Sequence, residues 1–112
     1  MVEILLAKYI EQLRLRDWEI SCNVVESFST QAATKLIYND YKAVILIRAG
    51  MDKPETEKTL IHELLHLIFR DAFDIFDSTV EDDFAKGYCL KQHERAIEKT
   101  SQIIYALNHK EV

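Results

Sequence analysis

The sequence predicts an α+β domain, and three observations carry the prediction. Residues 2–15 place Ile4, Leu5, Tyr9, Ile10 and Leu13 at helical spacing with charges between them. Three β-prone runs follow, DWEISCNVVE, ATKLIY and YKAVILI. The rest of the chain returns to helical periodicity. Runs of strands beside runs of helices, rather than strict alternation, are the mark of this class. At 112 residues, with 48% hydrophobic and 29% charged, the composition suits one soluble domain over residues 1–112 with a single core.

The elements follow in order. The first helix covers residues 2–15. The three β-prone runs make a three-stranded sheet, the last two flanking Asn39-Asp40, residues that tolerate positive φ and so suit a tight hairpin. The run Ala43–Ile47 is continuously apolar, as expected of a strand covered by a helix. After Gly50, Asp52 and Glu55 have the spacing of a capping box, and Pro54, Glu55 and Glu57 suit a first helical turn. A helix is expected from about 54 to 70. Residues 71–87 mix Phe and Asp and read as a connector with room for a short helical piece, and a last helix spans about 88–108.

Composition also excludes. Net charge is −5, from 19 acidic and 14 basic residues, and no cluster of Lys or Arg offers a footprint for phosphate backbones, so nucleic acid is not an expected partner. No segment approaches the ~20 apolar residues of a membrane span. Cys22 and Cys89 lack the CxxC spacing of a zinc knuckle or redox pair. The start, MVEILLAKYIEQ, is an amphipathic helix and not a signal peptide. The expectation is a cytoplasmic protein with reduced thiols.

The informative stretch is Thr59–Phe69, TLIHELLHLIF. At ~100° per residue, with His62 at zero, His66 falls near 40°, Thr59 near 60° and Glu63 near 100°. Leucines, isoleucines and Phe69 fill the remaining arc. The plain reading is that this polar wedge faces water. Solvent strips usually recruit Lys, Glu and Gln, however, and two histidines at i and i+4 stand one above the other on a helix face. Both imidazoles can then reach one Zn²⁺ at ~2.0–2.1 Å. Glu63 is rotated off that line, suited to take a proton from a water whose pKa zinc lowers toward ~7.

A catalytic zinc site needs a third protein ligand. On the last helix Leu90, Ile97, Ile104 and Leu107 mark an apolar face. Relative to Ile97, His93 lies near −40°, Glu94 near +60° and Glu98 near 100°. His93 and Glu94 both border that face; periodicity slightly favours His93, which sits between the apolar residues, and spacing leaves both open. His109 lies close to the chain end.

The pair HELLH and ERAIE resembles the gluzincin metallopeptidases, and the chain's length and element order resemble minigluzincins and short metallopeptidase-like proteins of phages and prophages. The resemblance implies a zincin-like fold, a zinc cofactor and a peptide or protein substrate. It implies that Glu94 is the third zinc ligand and that Glu98, where the family usually has Asp, fixes the tautomer of His62. It further implies that the strand before the motif helix is a sheet edge that pairs with substrate. A latent state is implied too, with residues after about Ala106, including His109 and Glu111, lying over the site. Tyr88 and Tyr105 read as packed tyrosines. Two rival readings stand beside the zinc hydrolase. One is a non-catalytic zinc-stabilised domain closed by His93 or His109, and the other is a metal-free interaction module.

Overall fold

In a computed structural model, residues 2–26, 34–39, 41–79 and 81–110 are described. The chain mixes helix and strand: α1 Val2–Gln12, β1 Glu19–Val25, β2 Thr34–Asn39, β3 Lys42–Arg48, α2 Lys53–Thr79 and α3 Asp83–Asn108. It divides into two compact units, residues 1–64 and 65–112, and the division falls inside α2.

In the first unit, α1 buries Leu5, Leu6 and Tyr9. Its inward stripe is therefore centred on Leu5 and Tyr9, and Ile4, expected on the apolar face, is 75% exposed. The helix ends earlier than the periodicity suggests. Arg14 adopts φ 59°, the Leu15 amide donates to the Ile10 carbonyl at 3.0 Å, and the Arg14 amide donates to Glu11 at 3.3 Å. This pair of bonds is a Schellman stop, built here on Arg where Gly is commoner. Leu15, just past the stop, is buried.

Strand β3 lies between β1, with which it pairs in parallel, and β2, with which it pairs antiparallel. One of its faces is inward: Ala43, Ile45 and Ile47 are buried and alternate with half-buried Val44 and Leu46. Two expectations change here. The segment Ala43–Ile47 has a partner along each side, so it is not the substrate-pairing edge that the resemblance implied. The turn before it is displaced by one residue, since Asn39 is still in β2, paired with Lys42. Positive φ falls on Tyr41, at 64°; Asp40 lies outside the described residues. Tyr41 accepts from the Glu19 amide at 2.8 Å, and its ring lies 5.1 Å from that of Trp18. These contacts anchor the turn despite a residue that rarely occupies this region.

Helix α2 starts where the capping signal placed it. The Asp52 carboxylate accepts from the Glu55 amide at 2.8 Å, and the Thr56 hydroxyl donates to the Asp52 carbonyl at 2.8 Å. Glu57, read from sequence as a first-turn acid, is 1% exposed. It accepts from the Tyr9 hydroxyl at 2.5 Å, and Lys8 Nζ stands 3.8 Å from the same oxygen. A buried carboxylate is tolerated only when so partnered.

The second unit corrects the connector. Helix α2 continues to Thr79, and α3 begins at Asp83, so residues 71–87 are largely helical. Asp82 caps α3, accepting from the Phe84 amide at 3.0 Å. Along α3, Ile97 and Ser101 are buried and His93 and Ile104 half-buried. Leu90 and Leu107 were expected on the inward face but are 45% and 67% exposed. Among the described residues, no helix is long and apolar enough to cross a membrane.

Two measurements follow from this architecture. Tyr9→Phe removes the hydroxyl donor and leaves a buried carboxylate short of a hydrogen bond, so denaturant titration should show a loss of about 1–3 kcal/mol. Gly87 lies inside α3, and a Cβ added there meets nothing within 4 Å. Gly87→Ala should therefore stabilise the chain by about 0.5–1 kcal/mol, read as a higher melting temperature.

Candidate metal centre

The polar wedge of α2 owes its direction to the residues around it. Leu60, Ile61 and Leu64 are fully buried, and Leu65 and Leu67 nearly so. His62, Glu63 and His66 are half-buried, so the wedge is not an open solvent strip. The burial of the apolar arc has a limit: Ile68 and Phe69 are about two-fifths exposed, at 39% and 41%.

Helix α2 is continuous from Lys53 to Thr79, so His62 and His66 stand one turn apart on the same face. On α3, Glu94 brings a carboxylate oxygen 3.6 Å from His66 Nε2. One ligand atom from each of His62, His66 and Glu94 lies within 4.8 Å of the others. Four-coordinate zinc with bonds of ~2.1 Å sets neighbouring donors ~3.4 Å apart. The His66–Glu94 separation is close to that figure, and modest side-chain rotation reaches it for the rest. Two imidazole nitrogens and one carboxylate oxygen also form a donor set that zinc accepts and that leaves a fourth position for water. The three side chains therefore fit the metal that the motif implies.

The other residues singled out by sequence take distinct places. The His93 ring lies 5.8 Å from the His66 ring at 57°, beside the donor group and outside its membership. Glu98 is exposed and accepts from the Gln102 side-chain amide at 3.2 Å. Tyr88, expected to be packed, is 58% exposed. Tyr105 is half-buried and stacks on His109 with centroids 4.2 Å apart. Glu111 lies outside the described residues. Cys22 and Cys89 are free thiols, and burial, helped by Glu3, pushes the Cys22 thiol up to about 11, so it stays protonated near neutrality.

Periodicity did not single out Arg70. It lies four residues after His66, and its Nε and Nη1 atoms are shielded from solvent. Its Nε is 3.5 Å from an Asp74 carboxylate oxygen, with side-chain exposures of 21% for Arg70 and 53% for Asp74. The i+4 step from the second motif histidine was the available signal.

Compared with protein-family models, curated proteins and solved structures, the chain matches none of them. The donor geometry generates its own test. Glu94→Ala should weaken zinc affinity by at least tenfold and more than His93→Ala does, measured by competition with a chromophoric chelator; the reverse order would assign the third ligand to His93.

Proposed function

We propose that the chain is a small zinc-dependent metallopeptidase of gluzincin type, with a zincin-like fold. In this reading His62, His66 and Glu94 hold the metal and Glu63 is the general base. The observation that supports it is the gathering of those three donors within 4.8 Å, with Glu63 beside His62 on the same helix and outside the set. Zinc held there would act as a Lewis acid that polarises a peptide carbonyl and acidifies a water.

The residues divide the remaining work. Glu63 takes a proton from the attacking water as the new C–O bond forms. It hands that proton to the amine as the C–N bond breaks, so the carboxylate is regenerated. Its half-buried position shelters the transfer from bulk water. Glu98 is assigned to orienting the His62 imidazole, and the segment after about Ala106 to holding the enzyme latent. The substrate is a peptide or protein.

A second reading has an observation of its own. His93 stands beside His66, and its entry as a fourth ligand would close the site and leave a zinc-stabilised domain without hydrolysis. Glu63→Gln separates the two readings. In the enzyme, zinc content by atomic absorption stays near one per chain, while the hydrolysis of casein that appears once limited proteolysis removes the C-terminal segment falls at least a hundredfold. Loss of zinc in that variant, or unchanged hydrolysis, contradicts the general-base role.

A further inference from the structure

We propose that two copies of this chain dock through the outward face of α3, each seating its Phe84 in a concavity on the other's helix. Buried Ile97 and Ser101 mark the inward side of α3. With Ile97 at zero, Phe84 falls near ~140°, Arg95 near ~160°, Tyr88 near ~180° and Lys99 near ~200°. All four are exposed and share the opposite face. Phe84, at 83%, is the most exposed large apolar side chain among the described residues. Further along the same face, Gln92, Arg95, Ala96, Glu98, Lys99 and Gln102 line an open concavity of about 460 Å³. Its middle lies about 13 residues beyond Phe84, or ~20 Å of helix rise.

A knob and a hole at a fixed separation on one helix face are self-complementary. Two copies of α3, antiparallel about a two-fold axis near residues 90–91, bring each Phe84 over the other's concavity. Every contact is then made twice and the assembly closes at two. Charge selects the same arrangement. Glu81, Asp82 and Asp83 are exposed beside Phe84, and the concavity carries Arg95 and Lys99. Antiparallel docking sets acids against cations at both ends, whereas parallel docking sets acid on acid. Glu98, the one acid of the lining, accepts from the Gln102 side-chain amide. Tyr88 offers its ring to the other copy's Arg95 guanidinium. Those three acids, in a chain of net charge −5, would repel a phosphate backbone or an anionic lipid surface, so a second copy is the better occupant. Glu94 lies ~120° from the centre of this face, so the dimer is independent of the metal reading.

Sedimentation equilibrium of the full chain tests the proposal, with circular dichroism of each variant as the check on folding. Wild type should reach twice the chain mass as concentration rises. Phe84→Ala should raise the dissociation constant at least tenfold. The doubly substituted chains Arg95→Glu with Lys99→Glu, and Glu81→Lys with Asp83→Lys, should each be monomeric alone. Their equimolar mixture should dimerise, since each end then meets its opposite charge. Asp82 is left in place because it caps α3. A chain that stays monomeric to about 1 mM, including one that sediments instead with phosphatidylserine vesicles, overturns the proposal. So does a dimer indifferent to Phe84→Ala, or a mixture of folded charge variants that stays monomeric. Growth beyond two copies overturns the two-fold arrangement. Should a charge variant fail to fold, Phe84→Ala decides alone, because its side chain is exposed and its removal leaves the core intact.

Discussion

The candidate site depends on the fixed rotation of α2 about its own axis. Leu60, Ile61 and Leu64 are sealed from solvent, and Leu65 and Leu67 almost so. Rolling the helix by one residue's ~100° would bring some of these to the surface and drive imidazoles inward, at roughly 1.5–3 kcal/mol for each large apolar side chain exposed. The helix start is pinned as well. Asp52 caps it, and the buried Glu57 carboxylate is bound to Tyr9 on α1. Apolar burial sets the direction of the wedge, and polar contacts at the first turns set its register along the axis.

That constraint explains why the motif helix was legible in the sequence. An apolar arc covering most of a helix and a three-residue polar wedge leave one way to face the core. The start was equally legible, because Asp52 and Glu55 spell a cap in residue types. The end was not. Asp71, Asp74 and Asp77 recur every third residue, which suits a helix face, yet alternation with Phe73 and Phe76 disguised it. Between Glu55 and Lys86 no Gly or Pro occurs, and α2 runs until the Asp82 cap opens the next helix. Gly87 suggested a boundary and is instead an interior residue of α3.

The sheet and α1 carry a related lesson. Hydrophobic pattern identified the strands but not their spatial order, because order is set by pairing across the sheet. The strand nearest the motif in sequence, β3, is the middle one. Similarly, Arg14 occupies a left-handed position that its side chain does not favour, and the stop it makes is written in backbone bonds and the burial of Leu15 rather than in a glycine. The burial of Glu57 was not legible, because a first-turn acid is ordinarily explained by the helix dipole. Of the candidate ligands, His62 and His66 were legible by spacing. Periodicity slightly favoured His93 over Glu94, since the two flank the same apolar stripe on α3, and resemblance alone pointed to Glu94.

The chemistry turns on whether the donor set is three or four. Three donors and an adjacent carboxylate make an open site that can process water; a fourth protein ligand makes a structural one. The most direct measurement is a crystal structure of zinc-loaded protein with anomalous data collected at the zinc edge. The expected result is one strong peak bound by His62, His66 and Glu94, with water at the remaining position. A peak ligated by His93 as well, or none beside His62 and His66, would contradict it.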